Sequence, residues 1–202
     1  LNGGYWMTDT DGNLTACQES EDWNVHYDGQ GTLTLKNANI TGAKSAEVLG
    51  PYVGIFAAAS QDQPVSLTIV LEGTNTVSGD TGIEVLEERS TTNGGASLTI
   101  TGGGSLIASG SQYGILVQSN SGHATLTIQN ADVTATSDYD DSVMVQADEG
   151  SKATLTVDGG SLTASGGGVG SGIYFDAPSS SNIDLTVNSN AIVRANGGIA
   201  SG

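Results

Sequence analysis

Carboxylates and histidines are the side chains of this sequence that could do acid–base chemistry, and they are dispersed. Glu84 and Asp176 both fall at the repeating positions described below, but they belong to different repeats. Glycoside hydrolysis needs two carboxyl groups about 5–9.5 Å apart, and no such pair can be assigned. His26 and His123 have no partners that we can place. A polysaccharide-degrading enzyme is therefore the less favoured alternative, and no residue is predicted to be catalytic.

A short acidic run could bind a metal ion. Asp138, Asp140 and Asp141 lie within four residues, and Ca²⁺ prefers clustered oxygen ligands. Asp9, Asp11 and Asn13 match the first, third and fifth positions of an EF-hand loop, but the sixth and twelfth positions do not fit, and a hairpin turn explains these residues better. Calcium is thus the one cofactor that the sequence suggests, chiefly at the run 138–141. A solvated acidic turn is the alternative there.

A mixed apolar and polar stripe is the best candidate for a binding surface. It consists of side chains at two matching positions of three successive repeats, namely Leu116, Met144, Tyr174, Gln118, Gln146 and Asp176. An aromatic ring can stack on a sugar while amide groups bond its hydroxyls. The stripe predicts a shallow glycan-binding groove, with Tyr174 as its leading residue. Loops folding over the stripe, or a neighbouring domain packed on it, are the alternative.

The element that must position these residues is a repeat of roughly thirty residues. Its most regular part is a short alternating string that occurs six times: Leu33–Leu35, Leu67–Ile69, Leu98–Ile100, Leu126–Ile128, Leu155–Val157 and Leu185–Val187. Two further apolar pieces follow in each repeat, separated by turn-forming Gly, Asn, Asp and Ser. Three short strands in each repeat predict an all-β, right-handed parallel β-helix of about six coils.

The ends of the chain differ from its middle. Residues 1–28 contain both tryptophans, Trp6 and Trp23, together with Tyr5 and Tyr27. Because an open coil exposes unpaired strand edges, we interpret 1–28 as an N-terminal cap and 29–202 as the β-helix. A sugar-stacking platform is the alternative for these aromatic rings.

Charge and cysteine content narrow the classes of partner. Lys and Arg total 5 against 22 Asp and Glu, a formal net charge of −17. Such a field repels nucleic acid and anionic membranes, and no apolar run approaches the ~18 residues of a membrane span. Neutral glycans, proteins and cations remain as partners. The single cysteine, Cys17, cannot form an internal disulfide and is expected to be a small buried residue, with an intermolecular disulfide as the alternative.

The segments Trp23–Asp28 and Gly31–Ile40 resemble the start of β-helix modules in large surface proteins of gut bacteria. Some modules of that kind are described as carbohydrate-binding or adhesin-like. The resemblance implies an extracellular or cell-surface location and a noncatalytic module that binds a glycan or a host or bacterial surface protein. It implies no site residue. A structural spacer within a larger surface protein is the main alternative function.

Overall fold

The computed structural model describes residues 3–42, 52–59, 63–88, 94–178 and 180–202. Within these ranges the chain is all β, with 17 strands and no helix. The strands wind into a β-solenoid of about five turns, with most neighbouring strands parallel. The predicted β-helix is therefore confirmed, although the turns number about five rather than six. The right hand of the coil stays a prediction.

Three antiparallel strands precede the solenoid: β1 (Gly4–Thr8), β2 (Leu14–Cys17) and β3 (Val25–Tyr27). The strands that start in the first sheet are β4 (Thr32–Lys36), β7 (Val65–Glu72), β9 (Gly94–Thr101), β11 (Gly122–Ser137), β13 (Lys152–Ser165) and β15 (Asn182–Asn188). Those that start in the second sheet are β5 (Asn39–Thr41), β8 (Thr74–Glu87), β10 (Ser105–Ser119) and β16 (Ile192–Asn196). The third sheet adds β6 (Val53–Ala59), β12 (Val143–Gln146), β14 (Ile173–Asp176) and β17 (Ile199–Ser201). β11 and β13 continue into the second sheet, and β8 and β10 continue from the second sheet into the third.

Alternation along each strand builds the core. In β7 the side chains of Val65, Leu67, Ile69 and Leu71 are buried, while those between them are half-buried or exposed. Side chains alternate across a strand, and parallel pairing sets equivalent residues of successive coils about 4.8 Å apart. From β7 onward leucine therefore stacks on leucine in the first sheet, in the column Leu67, Leu98, Leu126 and Leu155. One inward column is Ile55, Ile83, Ile115, Val143, Ile173 and Ile199.

The register between β4 and β7 differs from the one obtained by aligning the recurring Leu-Thr strings of the sequence. β4 pairs with β7 so that Leu33 faces Ile69, two residues beyond Leu67. The predicted alignment of Leu33 with Leu67 is therefore wrong. A shift of two residues leaves every side chain on its original face of the sheet. The corner decides the register, because Asn37 and Gly73, both with positive φ, meet where the strands end.

A corner before the third sheet requires very small residues. A Cβ at Gly114 would lie 2.8 Å from the carbonyl oxygen of Ala108 and 2.9 Å from that of Ser142. Ser142 itself occupies the equivalent position in the next coil, where its hydroxyl donates a hydrogen bond to the Gly172 carbonyl at 2.8 Å. Backbone therefore packs on backbone at this corner, and the close packing sets the direction in which the third-sheet strands leave it.

Asn75 is a polar residue at an inward position of the second sheet. Asn75 is fully buried in the column that holds Leu106 in the next coil. Its Oδ1 accepts a hydrogen bond from the Ala38 N–H at 2.9 Å, and its Nδ2 donates to the carbonyls of Glu72 and Ser105, both at 3.2 Å. Asn75 therefore ties three successive coils together at one corner, as a buried amide with partners for both of its polar ends.

The two ends of the solenoid are built differently. β3 pairs antiparallel with β4, and β1 pairs antiparallel with both β2 and β3, so the first sheet continues into residues 4–27. Trp6 and Tyr27 pack against the core from this extension. In the last turn, Ile183, Val187, Ile192 and Ile199 are 42–52% exposed. Whether residues 1–28 serve as a cap stays a prediction.

Candidate functional site on the third sheet

The six predicted binding residues stack into two adjacent columns on the outer face of the third sheet. Parallel register pairs Leu116 with Met144 and Met144 with Tyr174. It also pairs Gln118 with Gln146 and Gln146 with Asp176. Residues two apart along a strand lie on the same face. An apolar column and a polar column therefore run side by side across three coils.

The exposure of these residues is uneven. Leu116 lies on the outward row, since Ile115 and Val117 on either side of it are fully buried core residues. It is nevertheless only 7% exposed. The expectation that Leu116 presents an open apolar surface is therefore wrong, because outward orientation on a strand does not ensure contact with solvent. Met144, Tyr174 and the three polar residues are half-buried.

Tyr174 lies across the neighbouring strand. Its register partner in β17 is Ala200, which has a small side chain, and a Cβ at Gly202 would clash with the Tyr174 hydroxyl. The ring is thus half-buried and reaches toward Gly202. In the polar column, Gln118 Nε2 donates to Asn120 Oδ1 at 2.8 Å, which fixes the orientation of that amide.

The pKa of Tyr113 depends on charges of the third sheet and of the acidic loop. Burial raises the pKa of its phenol, and the charges of Asp140, Asp141 and Asp176 raise it further. The Tyr113 phenol is therefore affected both by the carboxylates of the acidic loop and by that of Asp176. Sequence reasoning missed Tyr113. The available signal was the extra residues before Gly114, which produce the register shift between Gly110 and Tyr113.

The acidic loop is held by hydrogen bonds from the coil above it. Asp141 Oδ1 accepts from the Ser171 N–H at 2.6 Å, and the Asp140 carbonyl accepts from the Gly167 N–H at 3.1 Å. Asp138 and Asp140 are exposed. Over the described part of the chain, no three His, Cys, Asp or Glu side chains come together as metal ligands. Calcium binding by Asp138, Asp140 and Asp141 stays a prediction.

The turn after β1 is a hairpin, as its sequence favoured over an EF-hand loop. Asp9 Oδ1 accepts from the N–H groups of Asp11 and Asn13, both at 2.9 Å, and Gly12 has a φ of 87°. The side-chain and backbone hydrogen bonds from Asn13 are the main reason that the pKa of Asp9 is lowered. The Asp9 carboxylate, at the first EF-hand position, thus accepts hydrogen bonds from the turn itself.

Glu84 lies on the outward row of the second coil, between Phe56 and Leu116 in register. Its partial burial raises the pKa of its carboxyl group. Asp176 is three coils away, so the two carboxylates are separated by about 14 Å or more at about 4.8 Å for each coil. That exceeds the ~9.5 Å upper limit for a glycosidase pair. Glu84 and Asp176 therefore cannot act together as such a pair.

An open cleft of about 430 Å³ lies at the N-terminal end of the solenoid. Its lining includes Tyr27, Leu33, Ile55, Phe56 and Leu67. Apart from Phe56 and Tyr27, these are inward-facing residues of the first two coils. The cleft is therefore the end of the core, and we do not assign it as the binding site.

Comparisons with protein-family models, curated proteins and solved structures find no match to this chain. The comparisons therefore give no support to the resemblance to surface modules of gut bacteria, and the β-solenoid is the part of that expectation that the structure shows. The described residues include no helix that is long and apolar enough to cross a membrane.

Proposed function

We propose that this protein is a noncatalytic extracellular or cell-surface module that binds a glycan or a partner protein through the outer face of its third sheet. The observation that carries this proposal is the register that sets Met144 and Tyr174 beside Gln146 and Asp176. Two chemically different columns at a fixed spacing suit an extended ligand with an apolar side and a row of hydroxyls. The solenoid provides the rigid support.

Each column would make its own contribution to binding. The ring of Tyr174 and the thioether of Met144 offer apolar surface for the carbon-bound hydrogens of a sugar. Gln146 and Asp176 offer hydrogen-bond donors and acceptors for hydroxyl groups. Because Leu116 is covered, we place the contact surface on the fourth and fifth coils rather than on the third.

Charge favours a neutral glycan over a uronic-acid polymer. The formal net charge is −17, and the third sheet carries acidic residues at both ends of its strands, with Asp140 and Asp141 before β12 and Asp176 at the end of β14. An anionic polysaccharide would meet repulsion there.

A structural spacer is the second candidate. Half-buried side chains such as Met144 and Tyr174 would also suit packing against a neighbouring domain. Incubation of the protein with a panel of plant and host glycans separates the candidates. Two quantities are measured in parallel: retention of the protein on each glycan, and release of soluble product from that glycan. Retention without release supports the binding module, release of product supports an enzyme, and the absence of both supports the spacer.

A further inference from the structure

Three aromatic rings form a cluster on the antiparallel extension, away from the third sheet. Tyr5 and His26 are register partners on β1 and β3, and their rings are stacked with centroids 4.2 Å apart. Trp23 is tilted against both rings, at 5.4 Å from Tyr5 and 5.7 Å from His26. All three residues are only partly buried. The chain has few aromatic residues, 5% of the total.

The cluster lies on the side of the extension that faces away from the core. Val25 and Tyr27 alternate with His26 along β3, and Val25 is a buried core residue. Trp6 follows Tyr5 along β1, pairs with Val25, and packs against the same core. Because neighbours on a strand point in opposite directions, Tyr5 and His26 point outward. The core therefore does not account for the cluster.

Polar groups lie beside the partly buried rings. The Tyr5 hydroxyl hydrogen-bonds the Glu19 side chain, which is the largest cause of its raised pKa. The Lys36 ammonium lies 5.7 Å from the centroid of the Trp23 ring. Thr34 pairs with His26 in register and extends the same outward row. A carboxylate, an ammonium and hydroxyl groups thus lie around an aromatic surface.

We propose that Tyr5, Trp23 and His26 form a second binding site, which takes a pyranose ring of a neutral glycan. The apolar face of a pyranose stacks on aromatic rings, and the Lys36 ammonium, 5.7 Å from the Trp23 centroid, is a hydrogen-bond donor for hydroxyls of a sugar bound there. A purely apolar ligand that covered the Lys36 ammonium would remove its hydration without replacing it, at a cost on desolvation. The inference rests on the extension alone and does not depend on the third-sheet proposal.

Fluorine NMR on protein labelled with 5-fluorotryptophan tests this site directly. The chain contains two tryptophans, so two resonances are expected, and Trp23→Phe assigns them by removing one. The probes are cellohexaose, xylohexaose and mannohexaose, titrated to 10 mM. We expect at least one probe to shift the Trp23 resonance in a saturable way while the Trp6 resonance, which reports on the core side, stays in place.

Variants separate a ring-stacking site from nonspecific contact. Tyr5→Ala should weaken the binding measured at Trp23 roughly tenfold, the scale of one lost aromatic contact. Tyr139→Ala removes a ring that is 72% exposed on the acidic loop and should leave the affinity unchanged. A Trp23 resonance that no probe moves, or a Tyr5→Ala protein that binds as tightly as the wild type, overturns the inference. Thermal unfolding verifies that each variant is folded.

Discussion

Replacing Asn75 should destabilise the solenoid, and two different replacements separate the causes. Asn75→Ala removes the acceptor of the Ala38 N–H and the donor to Glu72 and Ser105. The Glu72 carbonyl keeps a second partner, the Asn37 N–H at 3.1 Å, so the main loss falls on the Ala38 N–H. A buried group left without a partner costs about 1–3 kcal/mol, and the cavity adds to this cost. We expect about 3 kcal/mol in total.

Asn75→Leu fills the space with the residue found at the equivalent position in the next coil, Leu106. It still leaves the Ala38 N–H without its acceptor, so a loss of about 1–3 kcal/mol is expected even though the volume is restored. Equilibrium unfolding in guanidinium chloride, followed by circular dichroism, measures both variants. Asn182→Ala, at an exposed position, is the matched control and should stay within about 0.5 kcal/mol of the wild type. Wild-type stability for Asn75→Leu would refute the role assigned to the hydrogen bonds.

Three further predictions concern Gly114, Glu84 and Cys17. Gly114→Ala should cost about 1–3 kcal/mol because its Cβ meets backbone oxygens, whereas Gly103→Ala, with no atom within 4 Å of its Cβ, should be neutral in the same unfolding assay. Glu84→Gln should stabilise the protein at pH 7, because partial burial raises the folded-state pKa of Glu84 above the ordinary value of 4.5, and the difference should vanish below pH 4.5. Cys17 should react more slowly than a free thiol with Ellman's reagent at pH 8, because burial, and secondarily Glu21, raises its pKa.

Each of these predictions has a contradicting result. Equal losses in the free energy of unfolding for Gly114→Ala and Gly103→Ala would contradict the claim that close packing at the corner excludes a side chain at Gly114. For Glu84 the sign is fixed by proton binding: a folded state with the higher pKa binds more protons, so wild-type stability falls as pH rises from 4.5 through the folded-state pKa. A Glu84→Gln protein that is less stable at pH 7 contradicts this. A reaction of Cys17 as fast as that of glutathione contradicts the third prediction.

The strands and their inward columns could be predicted from the sequence because apolar and polar residues alternate along each strand, and this alternation is a local property. In β7 and β9 the apolar residues recur at every second position, and the face that they form needs no knowledge of distant contacts. The same alternation placed Met144, Tyr174, Gln146 and Asp176 correctly in columns.

Features that depend on corners and side-chain packing could not be predicted in this way. The register of Leu33 is decided at the corner formed by Asn37 and Gly73, which a string match does not weigh. The covering of Leu116 depends on neighbours that alternation does not specify. Asn75 has the polarity of a turn residue, so nothing in its local sequence distinguishes a buried amide with three hydrogen bonds from an exposed one.

The most direct test of the proposed function is calorimetric titration into three variant proteins. The ligand is the glycan of the panel to which the wild-type protein binds. Gln146→Ala alters the polar column of the third sheet, Tyr174→Ala alters the apolar column, and Gln129→Ala removes an exposed glutamine from the outer row of the first sheet. We expect each third-sheet variant to lose roughly tenfold in affinity and Gln129→Ala to bind like the wild type. Unchanged affinity in both third-sheet variants, with all proteins folded, would contradict binding at this face.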